Sequence, residues 1–330
     1  MLYKIRRVNG HLVESAIKFV TLRLISIKAV EAMEIKTYHT ISDFNREHGL
    51  TTLHPLIHVC KMDEHPDVFI EGNYSFDCYQ IYLNDNYTGT IRYGRNNYNY
   101  QNGTLMFVAP RQVVREDGHE GTDQGWVLMF HPDFLSGTVL GRGIHNYSFF
   151  QYDVNEALRL SEEEHDIIES CFKNLLLELH HATDDNSKPI IISYLELLLN
   201  YSKRFYERQF ITRSQGNNDF LSRFERMLDD YFKSGQLLQH GIPTVKWCAD
   251  NMNLSANYLT DMLRKYTGKS AMEHIQSKVI ETAKDSLLYH REKTVNEIAY
   301  ELGFEYPQYF CRLFKKRVGV SPNEYRYTAV

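Results

Sequence analysis

The sequence predicts a multidomain chain of α and β class, in which a small N-terminal β-barrel and a set of helices precede a C-terminal all-α domain. Three observations predict it. Short runs with period-two alternation, cut by turn residues, occupy about 53–130. Amphipathic helical patterns take over at Ser161. A helical unit that opens at Thr244 then recurs fifty residues later, at Thr294.

Composition supports a globular chain: 43% of its 330 residues are apolar and 24% charged, which excludes disorder over most of the length. The five cysteines, Cys60, Cys78, Cys171, Cys248 and Cys311, are scattered and form no CxxC pair. Neither a disulfide framework nor a thiolate zinc site is expected of them, only the reduced thiols of a cytoplasmic protein. No apolar run approaches the ~20 residues that span a bilayer. The best candidate, 16–30, is interrupted by Lys18, Arg23 and Lys28, and no signal-peptide core is clear. The net charge of −5 is uneven: residues 219–330 hold 16 Lys and Arg against 14 Asp and Glu, the remainder 21 against 28. Only the C-terminal part is basic, and charge that binds nucleic acid has only to be local.

In chain order, the first 32 residues are basic and irregular, and Met33 offers a more ordinary start. Residues 1–32 therefore read as a leader, either an upstream extension or an amphipathic helix. The β domain is expected over 33–145. Strands are read at 74–83, at 87–93 after an Asn84-Asp85-Asn86 turn, at Thr104–Val108 after Asn102-Gly103, and at 126–130. Several short strands at this spacing suit a small barrel or sandwich. A helical region follows over 146–211. Ser161 and Glu164 form a capping box for a helix to about His180, and Pro189 suits the first turn of the next. Tyr194, Leu197, Leu198, Tyr201 and Phe205 then share one stripe. Stripes of this kind need a partner, so a homodimer is expected through these helices. Polar residues 212–218 (TRSQGNN) read as a linker to a domain over 219–330.

That last domain repeats itself. Thr244, Val245 and Ala249 recur as Thr294, Val295 and Ala299. One extra residue in the second turn shifts the offset, so that Tyr258, Leu259, Leu263, Arg264, Lys265 and Gly268 recur as Tyr309, Phe310, Phe314, Lys315, Lys316 and Gly319. Each copy reads as a short helix, a tight turn and a longer helix. Ser255 is a good N-cap for the first longer helix, with Leu259, Met262 and Leu263 inward and Asn257, Thr260, Asp261 and Arg264 outward. In the second copy Gly303 supplies the turn, Pro307 the first helical turn, and Phe310, Leu313 and Phe314 the inner face. Gln308, Cys311, Arg312 and Lys315 point out. Helix, turn and helix in this form place the second helix in the major groove of double-stranded DNA. Between the copies, about 271–289 reads as one helix of ~25–30 Å, long enough to hold two reading helices about one DNA turn apart. A plain helical bundle with a duplicated hairpin is the competing reading. The turn chemistry, the polar outer faces and the basic run Lys315-Lys316-Arg317 count against it.

The stretch VNEIAYELGFEYPQYFCRLFKKRVGVSPNEYR, from Val295 to Arg326, resembles the signature of AraC-type transcription regulators. The resemblance is carried by Ile298-Ala299, Gly303-Phe304, Tyr309-Phe310, Phe314-Lys315-Lys316, Gly319, Ser321-Pro322 and Tyr325-Arg326. The first copy fits less tightly, with Leu263 where an aromatic is common. The resemblance implies a two-lobed DNA-binding domain over 219–330 and a regulator, not an enzyme, whose partners include RNA polymerase. It implies base reading by Asn257, Thr260, Asp261 and Arg264 in the first helix and by Pro307, Gln308, Cys311 and Arg312 in the second. Lys265, Lys315, Lys316 and Arg317 are the expected phosphate contacts. Asn and Gln suit adenine, and Arg suits guanine. Asp261 is a departure, because an acid repels phosphate.

The family often carries an N-terminal cupin-like sensing barrel, and the strands from 53 to 130 look like one. Parity along β residues sets Tyr79, Ile81 and Leu83 on one face and Cys78, Gln80 and Tyr82 on the other. The first set is more apolar and is read as the inside. With Arg92, Arg111 and Trp126 near the mouth it forms the candidate pocket for a small-molecule effector. Cupins can also be metalloenzymes, and His54, His58, His65 and His119 are available. Their spacing lacks a close H-x-H pair, so no metal or other cofactor is expected. An interaction module without any ligand is the third reading of the barrel.

Overall fold

In the computed structural model, residues 35–65, 72–86, 90–93, 96–98, 103–117, 124–181, 184–215 and 219–328 are described. The expected leader, 1–32, lies outside them. The chain divides into two units, one of residues up to His145 with Arg159–Leu198, the other of Asn146–Leu158 with Leu199–Val330. One cut falls at the expected border, 145/146, and residues 146–211 are shared between the two units. The helix Ser187–Gln215 runs unbroken through the expected border at 211/212, making 212–215 helical where a linker was read, and 216–218 lie outside the described residues.

The first unit holds a five-stranded sheet and the four long strands of a second. One runs in the order β1-β3-β8-β5-β6, from strands Ile35–Tyr38, Gly72–Phe76, Val114–Asp117, Thr90–Tyr93 and Asn96–Tyr98. Helix α1 (Ile41–Glu47) is capped by the Thr40 hydroxyl, and its Phe44 packs on Tyr38 and Phe76. The long strands of the other sheet run β7-β4-β9-β2: Thr104–Val108, Tyr79–Asn86, Gln124–Phe130 and Ile57–Lys61. Among the described residues the sheets do not join into a closed barrel. The run read as one strand at 74–83 is two, bent at Asp77-Cys78. The turn expected at Asn84–Asn86 is instead strand, with a register shift against β9 between Asn84 and Asn86. Gly125 permits this close approach, since at its φ of +129° a Cβ would lie 1.9 Å from the Leu83 carbonyl oxygen. A short helix α2 (Val139–Gly143) follows, then α3 (Glu162–His180) with the expected Ser161–Glu164 capping box, then α4 (Ser187–Gln215). Among the described residues no helix is long and apolar enough to cross a membrane.

Residues paired across a ladder share a face, which sorts this sheet into two sides. Ile57, Val59, Tyr79, Ile81, Leu83, Trp126, Leu128 and Phe130 form one, and the Trp126 ring meets Phe172 of α3 at 6.1 Å. His58, Cys60, Gln80, Tyr82 and Asn84 belong to the other, where the α1 residue Asn45 reaches His58.

In the second unit, α5 (Asp219–Lys233), α6 (Gln236–His240), α7 (Val245–Met252) and α8 (Ala256–Thr267) lead to the long α9 (Ala271–Tyr289). After it come α10 (Val295–Glu301), α11 (Pro307–Val318) and α12 (Pro322–Thr328). Short polar side chains stop and start these helices as helix-end chemistry requires. Thr244, Ser255, Ser270 and Thr294 accept from backbone amides in the first turns, and Gly268 and Gly319 close α8 and α11 in the left-handed conformation. Among the described residues each lobe has a core of its own. Phe224, Cys248, Ala249, Leu259 and Leu263 fill one and Ile298, Ala299, Phe310 and Phe314 the other. Helix α9 belongs to both, giving Ala271 and Ile275 to the first and Ile280, Ala283 and Leu287 to the second. One continuous helix thus carries two similar lobes.

Candidate nucleic-acid interface

Each lobe presents a turn and a longer helix, and the two turns are built alike. Asn253 and Gly303 take φ values of +56° and +81°. The next amide in each case, of Leu254 or Phe304, returns to the carbonyl of Ala249 or Ala299 at 2.9 and 3.0 Å. The two longer helices differ in what covers them.

The outer face of α11 is open. Pro307 opens the helix, and Gln308, Arg312, Lys315 and Lys316 are exposed. The Arg312 guanidinium lies over the Tyr309 ring, 5.8 Å from its centroid. Cys311 is half-buried, and burial pushes its thiol up, so it meets a ligand as a neutral group. Arg317 donates to Gln276 of α9. A shallow groove of about 640 Å3 runs past Asn296, Tyr300, Pro307, Gln308, Cys311, Arg312, Lys315 and Ser321. Tyr300, Tyr306 and Tyr309 are 55%, 49% and 54% exposed beside it. Sequence reasoning missed these three tyrosines as surface groups, although aromatics on the outer arc of an amphipathic helix are the signal that marks them.

The corresponding face of α8 is occupied by residues 146–158 and the C-terminal half of α4, all within the second unit. Glu156, 1% exposed, accepts from the Ser255 amide at 2.7 Å and from the Ser255 hydroxyl, and from the Asp153 amide at 2.7 Å. Its carboxyl is pushed up to about 7 by burial, against the pull of those donors. The Tyr152 hydroxyl donates to Asp261 at 2.7 Å, the Ser148 hydroxyl donates to the same carboxylate oxygen, and Asn257 donates to Gln151. Burial pushes the Tyr152 hydroxyl up and keeps it a donor. Arg264 pairs with Asp261 at 3.1 Å and Lys265 with Glu207 at 2.9 Å, while Thr260 is half-buried. A cavity of about 360 Å3, floored by Phe149, Tyr206 and Phe210, opens beside Asp261. Nothing in the local sequence pattern announces Ser148, Gln151, Tyr152 or Glu156, because each contact bridges about a hundred residues of chain.

Of the residues read as an effector pocket, Tyr79, Ile81, Leu83 and Trp126 share one side of the sheet. Ile81 and Leu83 are fully buried on the side that packs under α3, with Tyr79 stacked on Phe130 at 5.1 Å. Trp126 donates to Glu169 of α3 at 3.3 Å. Arg111 pairs with Asp77 at 2.9 Å, its side chain 82% exposed, and the Arg92 side chain lies outside the described ones. The more apolar side is thus the layer that packs beneath a helix. Of the four histidines, His54 accepts from the Leu56 amide, His58 contacts Asn45, His65 ends a 3-10 turn and His119 lies outside the described residues. Among the described residues, His165, Asp166 and Glu169 of α3 have ligand atoms close together. Within that group His165 is already bonded to Asp85 and Glu169 to Lys173 and Trp126.

Two amphipathic helix pairs on one rod, with a polar and basic outer face, define a helix-turn-helix DNA-binding protein. A helix-turn-helix domain model matches residues 248–328. The transcriptional regulatory protein YesN of Bacillus subtilis (strain 168) is 33% identical over 85 residues, 25% of this chain and 23% of that protein. The transcriptional activator RhaS of Enterobacter sp. (strain 638) is 23% identical over 296 residues, 87% of this chain and 96% of that protein. Among solved structures, the C-terminal domain of AraT, a response regulator from Geobacillus stearothermophilus, is 32% identical. That match covers 33% of this chain and 88% of that one, with a TM-score of 0.28. The chain carries a helix-turn-helix domain of the AraC type and has relatives among the AraC-family transcription regulators. It matches less than a quarter of the length of YesN.

Proposed function

We propose that the chain is a sequence-specific, effector-responsive regulator that reads successive major grooves with α8 and α11. The open face of α11 carries this reading. Gln308 and Arg312 stand one turn apart on it with Lys315 and Lys316 at its C-terminal end, which separates groups suited to base edges from groups suited to phosphate. Pro307 and Cys311 complete its reading surface, Arg317 adds a phosphate contact, and Asn257, Thr260 and Arg264 read from α8 with Lys265 on phosphate. The 19-residue α9 is ~28 Å long at 1.5 Å per residue, close to the ~34 Å of one DNA turn. The test separates the two kinds of contact. Arg312→Ala should cost ~1–3 kcal/mol on the selected site and relax specificity at one or two base pairs. Lys316→Ala should weaken binding alike on selected and scrambled duplexes and lower the salt slope by about 1. The same response from both variants on both duplexes removes the assignment.

The sensing part of the proposal rests on the other face of the β4 sheet, within a domain we read as cupin-like. Among the described residues, His58 Nε2, Gln80 Nε2 and Asn84 Nδ2 are buried without hydrogen-bond partners on that one side. Buried donors left open cost free energy unless something meets them. Burial pushes His58 down to about 4, so the ring is neutral. With Asn45 Nδ2 donating to Nδ1, its Nε2 carries the proton. Three donors on one side suit a small molecule rich in oxygen acceptors. Such a ligand should raise the melting temperature of the full chain, and Gln80→Leu should abolish the rise. If a broad metabolite screen moves neither protein, this site is not a sensor. Leu177, Ile190 and Leu197, exposed on α3 and α4, support homodimerisation. A monomer in sedimentation at micromolar concentration removes that part. RNA polymerase is the partner through which DNA binding would act on transcription.

A further inference from the structure

The duplication supplies its own control. Tyr258 and Tyr309 hold the same place in the repeat, yet Tyr258 is fully buried and Tyr309 is 54% exposed. Tyr258 is covered edge-on by Tyr152 at 5.1 Å and by Phe210 at 5.0 Å. Three residues on, α11 carries Arg312 and α8 carries Asp261. The reversed charge is unsuited to a phosphate surface, and it has a partner in the chain: Tyr152 and Ser148 both donate to it. The same stretch takes Asn257 through Gln151 and the helix N-cap Ser255 through Glu156. The Glu156 contact is sound electrostatics, a carboxyl at the positive end of a helix. It also sits where the N-terminal residues of a reading helix meet base edges. A protein segment and a DNA groove cannot occupy that face together.

We propose that residues 148–156 form an internal strap over α8 that keeps the first helix-turn-helix off DNA, with Asp261 serving as its latch instead of reading a base. The proposal rests on the DNA-reading function above. In the strapped state α11 alone is free to enter a groove. Lys265, drawn to Glu207, is also withdrawn from phosphate. The strap lowers apparent affinity by the fraction of molecules open, so a chain strapped nine times in ten binds about tenfold more weakly than an open one. Opening adds a second groove one helical turn away and returns Lys265 to the backbone contacts, which steepens the salt dependence.

The test uses the full chain and a duplex that the wild-type chain itself selects from a random pool. The double variant Ser148→Ala/Tyr152→Phe removes both donors to Asp261 and leaves α8 unaltered. Glu207→Gln releases Lys265 without touching the strap's aromatic packing and serves if the double variant does not fold. Thermal melting verifies folding, and hydroxyl-radical footprinting reads the contact. The double variant should bind at least tenfold more tightly, and its footprint should lengthen by about 10 base pairs, one helical turn. Glu207→Gln should steepen the salt dependence and tighten binding by a smaller factor. Unchanged affinity and footprint in folded variants overturn the strap. Weaker binding overturns it too, because the segment would then hold α8 in its reading geometry. If no form binds any duplex, the DNA-reading function fails and the strap falls with it.

Discussion

Phe310→Ala is expected to unfold the second lobe and reduce DNA binding to the wholly non-specific level. Phe310 has no exposed surface, and its ring lies 5.4 Å from Phe304 and 5.7 Å from Phe314, which in turn meets Tyr325 at 5.5 Å. Truncating such a ring removes its burial and leaves a void that surrounding atoms fill only in part, together ~3–5 kcal/mol. The lobe has little in reserve. Its core is eight buried residues, three of them lent by α9, and whole domains are stable by only about 5–15 kcal/mol. The loss should therefore appear as missing helix in far-UV circular dichroism, while the first lobe, with its own core around Phe224 and Leu263, keeps its melting transition. Leu313→Ala, at a partly buried position on the same helix, should cost less. A Phe310→Ala protein with wild-type melting and wild-type footprint would contradict the two-core description.

What was legible in the sequence is what local chemistry decides. Ser255 caps its helix as its side chain predicts, and the Ser161–Glu164 capping box forms with both reciprocal bonds. The inward set Leu259, Met262, Leu263, Phe310 and Phe314 is buried because 3.6-residue periodicity leaves those side chains one direction to point. The N-terminal unit was less legible. Period-two alternation separates the faces of β4 correctly and says nothing about what covers each face. An apolar set such as Tyr79, Ile81 and Leu83 suits a cavity wall and a packed layer alike, and the structure sets Ile81 and Leu83 beneath α3. The polar Gln80 and Asn84 are 1% and 2% exposed, which alternation alone would assign to solvent. The bend at Asp77-Cys78 was hidden for a similar reason, because the alternation continues across it. Asp261 was flagged as an acid out of place on a reading helix. Its partners were beyond reach, since Ser148 and Tyr152 lie more than a hundred residues earlier and no periodicity links them to it.

The last expectation concerns the turn of the second lobe, where the two copies diverge in what they tolerate. Gly303→Ala should destabilise the unit by ~3 kcal/mol or more, while Asn253→Gly at the matching turn should change stability by less than ~1 kcal/mol. Both positions lie at positive φ, +81° for Gly303 and +56° for Asn253. There an L-residue with a Cβ is strained by ~1–3 kcal/mol, and asparagine is among the residues that adopt the conformation most readily. Gly303 carries a second constraint. A Cβ there would stand 2.9 Å from Gly241 Cα, Gly241 C and the Leu237 carbonyl oxygen. All three are backbone atoms, and the segment is anchored: the Gly241 amide bonds Leu237, and the Gly241 carbonyl accepts from Tyr231 at 2.8 Å. Nothing flexible is available to yield, so the clash is relieved only by moving α6 away from the turn of the second lobe. Gly303→Asn separates the two causes. If φ alone mattered, asparagine would restore the stability that alanine loses, as it serves at position 253. If the close approach to Gly241 matters, asparagine should be at least as harmful as alanine. Chemical denaturation followed by far-UV circular dichroism distinguishes them, and a Gly303→Ala protein as stable as wild type would show that α6 does not pin this turn.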